Sequence, residues 1–282
     1  MDRQVLVGRA ALAEQLQLWA DVVSWMKHAI QTGDSELTIE ERSLLSIGYK
    51  RLVAEKRLAW KRVCELETQT SACGGTERLR QAIVFYKEQL EQDVESVCRE
   101  VLELIGKHVL STVHAAFAER VGRAMEQASR FKERGFDSLE SDLKQQMSGF
   151  PFDVEEKMGE NLVFYLKMLG DYSRFIAELR SDEDEAARER ISMQALCAYY
   201  VSWELSKLCL RPSHPGRLGI ALNYSMFCQS IMQQPDKACR IAEAAFDDAL
   251  ADLDDTGKEL YGESSIIMQV LKENLKLWSQ DG

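Results

Sequence analysis

Only four prolines, at 151, 212, 215 and 235, interrupt the 282 residues of this chain. Proline removes a backbone donor and clashes with the preceding helical turn, so this scarcity favours long helices. No run of alternating β-branched residues bounded by turn pairs suggests a strand. The expected fold class is all-α. Hydrophobic residues at 45% and charged residues at 29% suit an ordinary globular core and surface. The formal net charge of -11 argues against nonspecific nucleic-acid binding, which needs a basic surface to displace counterions. A local basic pocket is compatible with that charge.

Apolar spacing divides the chain into helices. Val5 to Ala13 and Trp19 to Ile30 read as two short amphipathic ones. Thr38-Ile39-Glu40-Glu41 has the pattern of a capping box, so a long helix is expected from about Glu40 to Thr70. The stretch from Ser71 to Gly75 is expected to break it. A second long helix is expected from Thr76 to at least Leu110, on Ile83, Leu90, Val94, Val101 and Ile105. Further helices are expected over Glu160–Leu179, Glu185–Cys209, Pro215–Met232, Lys237–Leu253 and Glu259–Trp278. Ser181–Asp184 offers carboxylates to a helix start, Pro212 and Pro215 close one helix and open the next, and Asp254–Gly257 reads as a turn.

Residues 111–158 differ from the rest. Ser111 to Arg130 keeps a helical pattern, but Gly135 and Ser148-Gly149-Phe150-Pro151 interrupt the remainder of the segment. One reading is an inserted helical arm within a single domain spanning 1–282. The other is a linker between two domains. No fixed-period repeat favours a solenoid.

The seven cysteines, at 64, 73, 98, 197, 209, 228 and 239, include no CxxC pair and fall mostly in apolar helical patterns. They are expected to be reduced thiols. The N-terminal stretch lacks the apolar run of a signal peptide, and no segment approaches the ~20 apolar residues of a membrane span. A cytoplasmic protein with nuclear access and no membrane partner is expected. No GxSxG, HExxH, P-loop or GxGxxG in strand–helix context occurs, and His28, His108, His114 and His214 lack ligand spacing. No enzyme, cofactor or metal is expected. His214, before Pro215, reads as a turn residue.

Two predicted helices share one feature. Lys50 and Arg57 are seven residues apart on one, and Lys167 and Arg174 are seven apart on another. Seven residues make about two helical turns, so each pair projects from one face. Taken alone, such a pair is an ordinary solvated face. If the two faces meet, lysine point charges and arginine forks suit a phosphate. Asn223, and Asn274 with Trp278 one turn later, offer amides for an extended peptide backbone. Leu222, Val270, Leu277 and Trp278 offer apolar cover beside them.

Several segments in order resemble signatures of the 14-3-3 family: EERSLLSIGYK at 40–50, VFYLKMLGDYSR at 163–174, HPGRLGIALN at 214–223, KACRIAEAAFDD at 237–248 and IMQVLKENLKLW at 267–278. The resemblance implies a cup of about nine antiparallel helices whose groove binds phosphoserine or phosphothreonine peptides. The segment 111–158 then enters between the fourth and fifth helices. The resemblance assigns phosphate contacts to Lys50, Arg57 and Arg174, and groove positions to Lys167, Asn223 and Asn274. It assigns the apolar wall to Leu222, Met226, Val270, Leu277 and Trp278. It also implies a homodimer, or a heterodimer with another family member, through the first four helices. Leu12, Leu16, Leu18, Asp21 and Tyr86 are expected at that interface.

The chain departs from the family pattern at several of these positions. Phe175 stands where the family has a tyrosine that reaches the phosphate, and Ser230 where it has a groove glutamate. Val5, Leu18 and Gln89 replace charged residues of intersubunit ion pairs, and four residues follow Trp278 where the family has an acidic tail. Two functions fit these features. One is a phosphopeptide-binding adaptor of phosphorylated client proteins. The other is a scaffold of the same fold that no longer depends on phosphate and takes unmodified peptides or its own arm.

Overall fold

A computed structural model describes residues 2–33, 36–128, 141, 144–145, 156–179, 185–256 and 262–279. These residues contain helices and no strand. The order is α1 (Arg3–Gln15), α2 (Trp19–Gln31), α3 (Ile39–Cys73), α4 (Glu77–Leu104), a π-helical segment (Ile105–Val109), α5 (Leu110–Ala128), α6 (Glu156–Leu179), α7 (Glu185–Cys209), α8 (Pro215–Ser230), α9 (Pro235–Thr256) and α10 (Gly262–Trp278). Two compact units are present, Met1–Ala115 and Ala116–Gly282, each with its own packing. Of the expected arm 111–158, the described part is α5 to Ala128, residues 141, 144 and 145, and Glu156 to Met158, which already belong to α6. The expected breaks at Gly135 and 148–151, and the acidic start at 181–184, lie outside the described residues.

In the first unit α1 packs on α2 and α3, and α3 on α2 and α4. Leu18 N–H bonds Ala13 O at 2.9 Å and Gln17 N–H bonds Glu14 O at 2.9 Å, which is the Schellman pattern. Gln17 takes the left-handed conformation at φ 57°, and the chain turns there into α2. The capping box at α3 forms as expected. Thr38 Oγ1 accepts from Glu41 N, and Glu41 Oε2 accepts from Thr38 N at 2.8 Å. Arg3 adds two bonds to the same carboxylate at 2.6 and 2.9 Å, which fastens α1 to the start of α3.

Helix α3 continues through Ser71 and Ala72 to Cys73, past its expected end. It stops at Gly74, whose φ of 74° is a left-handed cap that favours glycine. Ion pairs Lys56–Asp93 at 2.6 Å and Lys87–Glu67 at 2.7 Å join α3 to α4. Lys27–Glu100 at 2.6 Å and Tyr49–Glu100 at 2.8 Å bring α2 and α3 to the same α4 carboxylate. The long second helix was expected to run unbroken to Leu110. It instead changes to π-helical hydrogen bonding at Ile105, and His114 in α5 is extended at φ -158° and ψ 95°.

The second unit is built around α7, which packs between α6 and α8. From Ile191 to Ser206 most of its side chains are buried on every side, the pattern of an internal helix. Ser202 hides its hydroxyl by donating to Val163 O at 3.0 Å. At the start of α8, His214 Nδ1 accepts from Gly216 N at 3.0 Å ahead of Pro215, so His214 is the turn residue expected. Arg217, nearly buried, donates to Asp248 at 2.8 Å and to Leu210 O at 3.3 Å. Helices α8, α9 and α10 close around Leu218, Ala242, Ala249, Met268 and Leu271. Asp254 to Thr256 belong to the last turn of α9, so the expected turn there does not form before residue 257. No described helix is long and apolar enough to cross a membrane.

Candidate functional site

Helix α6 carries the second cation pair. Its inner face, Leu162, Tyr165, Leu166, Leu169 and Ile176, is buried. The helix lies so close to α7 that a Cβ on Gly170 would fall 2.7 Å from Cδ1 and Cε1 of Tyr199. Glycine at 170 therefore seats the Tyr199 ring against the α6 backbone. That ring stacks on Tyr224 of α8, with centroids 5.9 Å apart and planes 19° apart. Tyr199 is fully buried, and its hydroxyl reaches the end of the Asp171 side chain.

A polar group grows from this contact. Asp171 Oδ1 accepts from the Tyr199 hydroxyl at 2.7 Å and from Asn223 Nδ2 at 2.7 Å. Asp171 Oδ2 accepts from Lys167 Nζ at 2.7 Å, one turn earlier on α6. Arg174 Nε donates to the Tyr199 oxygen at 3.2 Å, and Arg174 Nη1 pairs with Glu178. The Arg174 side chain is only 11% exposed. Its guanidinium also lies over the Phe175 ring, and Phe175 meets Tyr172 edge-on.

The ionisation states follow from these neighbours. Burial pushes the Asp171 carboxyl upward, but the charges of Lys167 and Arg174 and the hydrogen bonds from Lys167 and Tyr199 outweigh it and hold it below the ordinary carboxylate range. Burial, with Asp171 beside it, pushes the Tyr199 phenol well above its ordinary range. Burial works against the Arg174 charge, but Tyr199, Glu178 and Asp171 raise its pKa and keep it a cation. At neutral pH Asp171 only accepts hydrogen bonds, and Tyr199 keeps its proton.

The structure thus brings Lys167, Arg174 and Asn223 into one hydrogen-bonded group on α6 and α8, joined through Asp171 and Tyr199. Lys50 and Arg57 belong to α3 of the first unit, Lys50 exposed and Arg57 half-buried. Leu222 and Trp278 pack on the rim of the α8–α9–α10 core. Val270 is half-buried, while Met226 and Leu277 are exposed at 39% and 59%. Asn274 is half-buried, and its Nδ2 is shielded from solvent with no hydrogen-bond partner among the described residues. Ser230 ends α8 with its hydroxyl on Met226 O at 2.8 Å.

Sequence reasoning missed Asp171, Tyr199 and Glu178. The signal for the two acids was available, because each lies four residues after a cation of the pair on the same helix. Tyr199, on another helix, had none.

The face expected for dimerisation lies in the first unit. Leu12, Leu16 and Leu18 around the end of α1 are exposed, as are Asp21 on α2 and Tyr86 on α4. Val5, Val84 and Phe85 extend the set of exposed apolar side chains. Cys98, Cys197 and Cys228 are buried free thiols, and burial pushes the Cys197 thiol up to about 12. Among the described residues no group of three His, Cys, Asp or Glu side chains is placed to hold a metal ion.

Comparison with known proteins gives two findings. Residues 9–122 and 136–279 match the model of a family described as 14-3-3 protein. The unmatched stretch between them falls inside 111–158. The chain is also 36% identical to 14-3-3 protein zeta of Bombyx mori over 281 residues, which is 100% of this chain and 94% of that protein.

Proposed function

Because the chain belongs to the 14-3-3 family, we propose that it is an adaptor that binds client proteins through peptides carrying phosphoserine or phosphothreonine, without chemical turnover. In this reading Lys50, Arg57 and Arg174 take the phosphate and Lys167 lines the site. Asn223 and Asn274 hold the peptide backbone. Leu222, Met226, Val270, Leu277 and Trp278 cover its side chains.

The observation that carries the reading is the shared hydrogen-bonded group of Lys167, Arg174 and Asn223. It combines donors for an anion with an amide for a backbone in one place. Among the described residues Arg174 uses Nε and Nη1 internally, which leaves Nη2 to donate to a phosphate oxygen. The shielded Asn274 N–H adds support, since a buried donor gains most from a ligand carbonyl. We further propose that the adaptor pairs with a second copy, or with another family member, through the exposed leucines around the end of α1 and Tyr86, and that it acts in the cytoplasm with access to the nucleus.

A second reading is favoured by Phe175 and Ser230, and by the carboxylate already paired with Arg174. Here the same surface binds unmodified peptides, or the chain's own 111–158 segment. Titration of one Arg-Ser-x-Ser-x-Pro peptide, in plain form and phosphorylated on its second serine, separates the two. Tighter binding of the phosphorylated form is expected. Equal affinity for both forms rejects the phosphate reading in favour of the second.

A further inference from the structure

One carboxylate ties together Lys167, Asn223 and, through Tyr199, Arg174, to which the proposed function gives ligand contacts in the second unit. Asp171 accepts from Lys167 on one oxygen and from Asn223 and Tyr199 on the other, each at 2.7 Å. Tyr199 passes the connection on to Arg174 Nε at 3.2 Å. We propose that Asp171 and Tyr199 are positioning residues, which fix the polarity and aim of Asn223 and Arg174 before a phosphopeptide arrives. The proposal rests on the phosphopeptide reading and deepens it.

Donors and acceptors set the polarity. An ionised carboxylate only accepts. Asn223 must therefore turn its NH2 toward Asp171, which leaves its carbonyl oxygen as an acceptor for a peptide N–H. The Asn223 side chain makes no other hydrogen bond among the described residues. Tyr199 has one hydroxyl hydrogen, and its hydrogen bond to Asp171 uses it. Its oxygen then faces Arg174 as an acceptor, so Nε is held there while Glu178 holds Nη1. With two points fixed the planar guanidinium cannot rotate, and Nη2 keeps one direction. Asp171 remains ionised and Tyr199 protonated at neutral pH for the reasons already given, so the polarity of the relay does not reverse.

Simple filling of space does not require this pattern. Lys167, on the same helix, supplies a counter-ion for Asp171 by itself. The bonds from α7 and α8 add direction. Side chains held in place before binding lose less freedom when the ligand arrives.

The test uses the full chain and two variants, Tyr199→Phe and Asp171→Asn. The first readout is the Arg174 Nε–H resonance in 1H–15N spectra without peptide. The second is affinity for the plain and phosphorylated forms of one peptide, with thermal melting to confirm folding. Tyr199→Phe is expected to shift or broaden the resonance and to lower the phosphorylated-to-plain affinity ratio by about tenfold, the scale of one hydrogen bond to a charged group. Plain-peptide affinity is expected to stay as it was. Asp171→Asn is expected to weaken both forms, because it also releases Asn223. An unchanged resonance in Tyr199→Phe overturns the proposal. So does an unchanged ratio where the unaltered chain does discriminate. If the unaltered chain binds both forms equally, the phosphopeptide reading fails, and the resonance alone decides whether Tyr199 positions Arg174. If Asp171→Asn does not fold, Tyr199→Phe decides the outcome alone, since it removes a single atom.

Discussion

The guanidinium carbon of Arg174 lies 4.7 Å from the centre of the Phe175 ring. The phenyl face attracts the cation but has no hydrogen to give a phosphate. Phe175→Tyr is expected to strengthen phosphopeptide binding by about tenfold or more, because a hydrogen bond to a charged group contributes roughly 1.5–3 kcal/mol. Plain-peptide binding is expected to hardly change. Parallel titrations of the two forms check this, and an unaltered phosphopeptide affinity means another donor already fills that place.

Arg57→Ala and Arg174→Ala are each expected to remove most of the difference between phosphorylated and plain peptide. Loss of either guanidinium leaves phosphate oxygens without a charged donor. The measurement is the affinity ratio rather than the affinity. A variant that weakens both forms equally would mark its arginine as a support of the fold.

Gly170→Ala tests the seat of Tyr199. Its new Cβ would lie 2.7 Å from two ring carbons that are buried and stacked on Tyr224. Overpacking of this kind costs about 1–3 kcal/mol. A lower unfolding midpoint in denaturant is expected with little change in the slope. An unchanged midpoint would show that the ring moves freely.

The exposed leucines around the end of α1 lead to a prediction about association. Leu12, Leu16 and Leu18 are 58%, 60% and 48% exposed, and Tyr86 is 60% exposed. Burying such side chains yields about 25 cal/mol per Å2 of apolar surface, whereas exposed ion pairs contribute only ~0–1 kcal/mol each. A dimer held mainly by these residues is expected to resist salt, since apolar burial is not screened. Sedimentation equilibrium at low and high salt is the measurement. A monomer at tens of micromolar, or a dimer lost as salt rises, rejects the idea. Deleting 111–158 then shows whether that segment covers the face.

Features written in neighbouring residues were legible in the sequence. Thr38 and Glu41 form their box, and His214 caps the helix that Pro215 opens, because each bond spans at most three residues. The all-helical class followed from the scarcity of proline. The π-helical segment was not legible. Val101, Ile105, Val109 and Val113 keep an ordinary helical spacing through it, so the apolar pattern gives no sign of the widened turn. Tyr199 escaped for a different reason. It is 28 residues from Asp171, and only the packing of α7 on α6 makes them partners. The cation pair at 167 and 174 was visible as a face, but its neutralising acids were overlooked although both lie on that same helix.

The placement of those acids has a mechanical consequence. Lys167 meets Asp171 and Arg174 meets Glu178, each one turn along α6. The basic residue comes first in both, the less favourable order for helix stability, so the helix gains little from them as a helix. What it gains is portability. Both cations travel with their own counter-ions, and a slide or tilt of α6 leaves neither charge stranded in a dry interior. Aim is lent by α7 and α8, while neutrality is carried aboard a single rod.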